Sequence, residues 1–162
     1  DNLQRMAERG TVWVPTVFTM KSYSGNFDPQ KNSGDLRVIK RTMEHQLEQM
    51  AIARELGVTL ALGTDAGSPG VLHGESMAEE MKLYKEAGFS LPERVRCATY
   101  NGAKLLGLEK EMGLLQAGRP ANFLVTRGTP AQLSRKLSYL EDIYLLGKPC
   151  SLYRKNPVKN VV

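Results

Sequence analysis

The chain has 162 residues, with 22 Lys and Arg against 17 Asp and Glu, a formal net charge of +5. Hydrophobic residues at 41% and charged residues at 24% match an ordinary soluble domain with a core, which excludes low-complexity and largely disordered architectures. Residues 1–126 hold 15 basic and 15 acidic side chains, so the +5 lies wholly in residues 127–162; no run of like charge or nucleic-acid motif accompanies it, and it reads as a solvated tail.

In chain order, Leu3, Met6 and Ala7 before Gly10 read as the closing turns of a helix, and the opening Asp1 points to a piece of something longer. Residues 11–18 are β-branched and aromatic with no helical period, which predicts a buried strand; Pro15 belongs at its end or where the N–H is not used, because proline has no N–H for a ladder. Residues 22–34, dense in Ser, Gly, Asn, Pro and Asp, predict a long loop. From Asp35, the positions Leu36, Ile39, Met43, Leu47, Met50 and Ala53 form one helical stripe that Gly57 stops. Residues 58–62 predict a short apolar strand that runs into the Gly- and Pro-rich loop 63–70. Strand, helix, strand is a βαβ unit with parallel strands.

A second helix, from about Glu75 to Ala87, sets Met77, Met81 and Tyr84 on one face and ends at Gly88. A third opens on the capping box Ser90-Leu91-Pro92-Glu93 and runs to Gly107. Beyond it, residues 114–116 and 122–125 predict a hairpin around 117–120. Thr129-Pro130 caps a short helix to about Tyr139, and residues 143–146 with 151–153 predict a second pair of strands. The first 107 residues are thus α/β and residues 113–153 mostly β. No stretch approaches the ~20 apolar residues that span a bilayer, and Cys97 and Cys150 lie far apart with no C-x-x-C, so the expected compartment is the cytoplasm, with no membrane and no nucleic-acid partner.

Asp65 is the acidic residue of loop 63–70, directly after a parallel strand, where α/β sheets and barrels place ligands. Two readings stand side by side: a reacting or ligating carboxylate, and an Asp that caps its own turn. Phosphate-loop and serine-nucleophile patterns fail, since Gly74-Glu75-Ser76-Met77-Ala78 lacks the closing Gly and no His follows His73. His45 reads as a partly exposed helical residue. His73 either lines the pocket of Asp65 or hydrogen-bonds locally at a helix start.

The ordered segments Leu62-Gly63-Thr64-Asp65-Ala66-Gly67, His73-Gly74, Glu79-Glu80-Met81, Ala87-Gly88-Phe89-Ser90, Ala98-Thr99-Tyr100-Asn101-Gly102-Ala103, Leu106-Gly107-Leu108, Gly113-Leu114-Leu115 and Gly118-Arg119-Pro120-Ala121-Asn122 resemble the C-terminal part of amidohydrolase-superfamily enzymes, nearest the imidazolonepropionase-like and prolidase-like branch. The opening fits as well, since Met6-Ala7-Glu8-Arg9-Gly10 and Val14-Pro15-Thr16 are similar to that family's stretch after the sixth barrel strand. The resemblance implies an α/β chain that is the C-terminal portion of a (β/α)8 TIM-type barrel. Residues 1–107 would hold strands seven and eight with flanking helices, and residues 108–162 would give strands to a small β-sandwich domain. It implies a metal-dependent hydrolase of amide or other C–N bonds in dipeptide, N-acyl amino acid or cyclic amide substrates. Asp65 becomes the family's catalytic, metal-binding aspartate beside a divalent ion, Zn by preference, whose bound water it deprotonates. His73 becomes a candidate substrate-binding residue.

The same resemblance implies an H-x-H pair, a bridging Lys or carboxylate and two further histidines on earlier strands, none of which this sequence carries; its two histidines are His45 and His73. A catalytic zinc takes three protein ligands and a water, so the chain alone is expected to be inactive and to hold no metal. Asn122 stands where the family has Asp, a change expected to affect local hydrogen bonding. Two expectations follow: the C-terminal part of a hydrolase whose N-terminal half is missing, or a non-catalytic self-associating module. Open strand edges favour a homo-oligomer, or a missing N-terminal half that covers them.

Overall fold

A computed structural model describes residues 2–25 and 33–153. Helix α1 (Asn2–Glu8) leads into strand β1 (Val12–Trp13), which helix α2 (Val17–Ser24) follows. The strand expected over residues 11–18 is therefore cut to two paired residues. Pro15 offers no N–H, and Thr16 takes a left-handed conformation (φ 51°, ψ 45°) that redirects the chain into a helix. Of the loop expected over 22–34, residues 22–24 belong to α2 and residues 33–34 to helix α3 (Ser33–Glu55); residues 26–32 lie outside the described residues.

Met50 and Ala53 of α3 are fully buried, as the apolar stripe requires. Gly57, at φ 80°, ends the helix in a double hydrogen bond: its own N–H reaches Arg54 O at 3.1 Å and Val58 N–H reaches Ala53 O at 2.9 Å. Strand β2 (Thr59–Leu60) then pairs in parallel with β1, Val12 opposite Thr59 and Trp13 opposite Leu60, so the expected βαβ connection is present. Alternate residues of β2 face opposite ways. Ala61 N–H donates to Trp13 O (2.9 Å) on the β1 side. On the other side Leu60 O accepts from Asn101 Nδ2 (2.7 Å) and Leu62 N–H donates to Cys97 O (3.0 Å).

Helix α4 (Ser76–Glu86) buries Ala78, Met81, Leu83 and Tyr84. The capping box at Ser90 forms, with Ser90 N–H on Glu93 Oε2 at 2.7 Å. The single helix expected to Gly107 is two, α5 (Leu91–Ala98) and α6 (Tyr100–Leu105), broken at Thr99, whose backbone is non-helical (φ −129°, ψ −86°) and whose hydroxyl donates to Val95 O (2.7 Å). The core runs through α1 to α5 and β2, from Leu3, Val17, Met50 and Leu60 to Met81, Tyr84, Phe89 and Cys97.

Strand β3 (Phe123–Thr126), a 3₁₀ turn (Pro130–Gln132), helix α7 (Leu133–Lys136) and strands β4 (Leu140–Leu145) and β5 (Lys148–Pro149) build an antiparallel sheet in the order β3-β4-β5. The hairpin expected between 114–116 and 122–125 does not form among the described residues. Phe123 stacks on Tyr144 with ring centroids 4.6 Å apart, and β3 spends its ladder on β4. The last pair of strands closes earlier than expected. Leu146 and Gly147 both have positive φ (52° and 78°), a tight two-residue turn that returns the chain at Lys148, so residues 151–153 lie past the ladder. Asn122 joins this turn, its Oδ1 accepting from Leu146 N–H at 2.8 Å. The whole is a mixed α/β chain, and two parallel strands do not by themselves close a barrel.

Candidate functional site

Asp65 lies in the loop that leaves β2, with its side chain exposed and its backbone left-handed at φ 52°. Short side chains such as Asp tolerate that conformation because they satisfy neighbouring groups. Here Ser68 Oγ donates to Asp65 Oδ2 at 3.2 Å, and Ser68 N–H reaches Asp65 O at 3.4 Å. Gly67 N–H on Val71 O (3.1 Å) and Val71 N–H on Ser68 O (2.9 Å) close the rest of the loop on itself. Among the described residues the Asp65 carboxylate thus meets a side-chain hydroxyl and no backbone N–H of its turn, and Oδ1 has no hydrogen bond. His73 is exposed in the turn before α4, and no hydrogen bond joins it to Asp65. His45 sits on the exposed face of α3 with Nδ1 3.8 Å from Glu48.

The loop is held from one side by α2. Thr19 Oγ1 donates to Thr64 O (3.1 Å) and Ser22 Oγ to Pro69 O (2.8 Å). Gly63 lies so near β1 that a Cβ there would stand 2.7 Å from Val14 Cγ1. Only a residue without a side chain fits that approach unless Val14 moves.

Sequence reasoning missed Glu80. It is 0% exposed, and its carboxylate accepts Val17 N–H at 3.0 Å and Phe18 N–H at 2.6 Å, the first two amides of α2. Burial pushes its pKa up; the amides of Phe18 and Val17 pull it back in part. Its signal was present in the chain, because Met77, Glu80 and Tyr84 fall at helical spacing and put a carboxylate on the apolar face of α4. Beside it, Tyr84 donates its hydroxyl to Ala61 O (2.8 Å), and burial drives its phenol far above the ordinary range. Burial likewise pushes the Cys97 thiol up to about 11, which suits a packing residue and not a nucleophile.

A cavity of about 230 Å3, lined by Arg54, Gly57, Thr59, Phe89, Arg96 and Tyr100, opens at the other end of β2 and includes neither Asp65 nor His73. Ligands of parallel α/β folds gather at the carboxyl ends of strands, which is where Asp65 stands.

The amidohydrolase family model matches residues 3–160. The chain belongs to the amidohydrolase family. It is 30% identical over 152 residues to an imidazolonepropionase of Syntrophobacter fumaroxidans, a match that covers 91% of this chain and 31% of that protein. Among solved structures it is similar to a Xaa-Pro dipeptidase with methionine bound in its active site, at 27% identity and a TM-score of 0.72, over 91% of this chain and 36% of the other. A zinc-bound adenosine deaminase of Xanthomonas campestris shares the fold at 23% identity and a TM-score of 0.51, over 62% of this chain and 27% of that one. The chain thus spans about a third of the length of the relatives it matches.

A zinc site of this family's kind does not fit the described residues taken alone. Among them no group of three or more His, Cys, Asp or Glu stands together to hold a metal ion, and the hydrogen-bond partner of the Asp65 carboxylate is a hydroxyl. No helix of the described residues is long and apolar enough to cross a membrane.

Proposed function

We propose that this chain is the C-terminal part of a metal-dependent hydrolase of amide or other C–N bonds, and that Asp65 is the carboxylate it brings to the reaction centre. The observation that carries the reading is the place of Asp65: an exposed carboxylate on a hydrogen-bonded loop at the carboxyl end of a parallel strand, inside a chain that belongs to the amidohydrolase family. On this reading β1 and β2 are the seventh and eighth strands of a (β/α)8 barrel, residues 1–107 belong to that barrel, and residues 108–162 add strands to a small β-domain. A zinc centre takes its remaining donors from protein outside the described residues. What this chain itself supplies is a positioned proton acceptor, with His73 on the substrate side of the same loop. The names of the relatives point to dipeptides and cyclic amides as substrates, and N-acyl amino acids share that chemistry.

The test uses the protein as its gene encodes it, loaded with zinc and assayed on Xaa-Pro dipeptides, N-acyl amino acids and cyclic amides. Hydrolysis of one of these classes is expected, with loss of about a hundredfold or more on Asp65→Asn, in the range of lost acid–base catalysis. No turnover of any class, or turnover indifferent to the substitution, overturns the reading.

A second reading, a non-catalytic module that self-associates, is favoured by the antiparallel sheet, in which no described residue is buried. It predicts a homo-oligomer with no bound metal, and sedimentation as a stable monomer at micromolar concentration removes it.

A further inference from the structure

Helix α2 touches both Glu80 and the loop that carries Asp65. The helix lacks the usual local cap, since Thr16 is left-handed and its side chain caps nothing. Glu80, sixty-three residues away from Val17 in sequence, takes that place with one carboxylate oxygen on each of the first two amides. From the same helix, Thr19 and Ser22 donate to Thr64 O and Pro69 O, on either side of Asp65. A Cβ at Gly70 would stand 2.2 Å from Ser22 Oγ, so the helix lies directly against the loop. Glu80 belongs to α4, the helix that the loop itself leads into. Loop, α4 and α2 therefore form a closed circuit whose one fully buried carboxylate is Glu80.

We infer that Glu80 is a positioning residue for Asp65: it fixes the start of α2, and α2 in turn sets the loop that carries the Asp65 carboxylate. The consequence for hydrolysis rests on the reading of Asp65 given above, but the placement itself does not depend on it. Replacing Glu80 by Gln keeps the shape and loses one acceptor, because the amide NH2 then faces an N–H. The helix start shifts, and the hydroxyls of Thr19 and Ser22 move with it.

The experiment is amide hydrogen exchange with NMR on the full chain, comparing wild type with Glu80→Gln. The expected result is exchange faster by about tenfold or more at Val17 and Phe18, as the loss of a buried hydrogen bond implies. The same acceleration is expected at Gly67 and Val71 in the Asp65 loop, together with a shift of the Asp65 carboxyl-carbon signal and no change at Leu124 or Val125. Faster exchange at Val17 and Phe18 alone, with the loop amides and the Asp65 signal unmoved, reduces Glu80 to a helix cap and overturns the inference. If Glu80→Gln does not fold, wild-type exchange over a denaturant series decides: a shared opening constant for Val17, Phe18, Gly67 and Val71 supports the coupling, and independent openings overturn it. None of these signals requires turnover, so an inactive protein with coupled loop and helix sinks the proposed function and leaves this inference standing.

Discussion

Residues 2–103 and residues 104–153 contain similar apolar side chains and bury them very differently. Among the described residues, every buried side chain lies between Leu3 and Ala103. Past that point Leu106, Leu115 and Leu146 are 70%, 72% and 73% exposed, and Leu124 and Leu145 on the antiparallel sheet are 53% exposed each. The contrast lies in layers. In the first region the helices and β2 meet in one cluster; in the second, a three-stranded sheet has apolar residues on both faces, and the α7 segment beside it reaches the core through Ser134 Oγ, which accepts from Arg94 (3.3 Å), and through Leu137. A single sheet layer is a marginal structure until something packs on it. The stability of this chain is therefore expected to reside in its first two-thirds.

The largest test of that contrast is a pair of truncations. Met50→Ala, at a fully buried position, is expected to cost about 2–5 kcal/mol in denaturant unfolding, whereas Leu124→Ala stays within about 0.5 kcal/mol. Equal costs at the two sites break the comparison.

A smaller effect comes from Glu80. Glu80→Gln is expected to lose about 1–3 kcal/mol, with a pH dependence that identifies the carboxyl. Because burial raises the folded pKa above the unfolded one, the contribution of Glu80 is complete below the usual carboxylate range and is lost as pH rises through the raised value. The gap between wild type and variant should therefore be widest in acid and narrow as pH rises. Tyr84 and Cys97 nearby stay neutral throughout, since burial pushes both upward. A gap that widens with pH contradicts the assignment.

Smallest is the cap of α5. Ser90→Ala should cost about 1 kcal/mol, read as a shift in the denaturation midpoint. The Ser90 hydroxyl and amide hold Glu93 below the ordinary carboxylate range. Its contribution is present above that range and fades as pH falls through the lowered value, opposite in sign to Glu80. A Ser90→Ala effect that persists undiminished in strong acid assigns the cap to the hydroxyl alone.

Much of this was legible because it depends on near neighbours. The stripe from Leu36 to Ala53, the Gly57 stop and the Ser90–Glu93 box each act within a few residues, and each is found in the folded chain. Asp65 was legible as a loop carboxylate after a strand. Whether its side chain was spent on its own turn was not, since that depends on the rotamer of Ser68. Residues 11–18 misled because Val17 and Phe18 favour strands by composition, while their amides are claimed by a carboxylate from α4. The hairpin at 114–125 misled for a related reason: either neighbour satisfies a short apolar strand, and Tyr144 offered Phe123 a stacking face.

The sequence by itself determined the family segment around Asp65, the helical stripes, the capping box and the glycine stops, all of them signals that operate over one or two turns of chain. Only the tertiary structure decided that the chain turns into α2 at Thr16, that Glu80 caps α2 from across the core, and that α2 then rests on the loop of Asp65. A buried carboxylate is tolerable only where donors meet it. Those donors come from residues more than sixty positions away, so the site is set by packing that no local pattern contains.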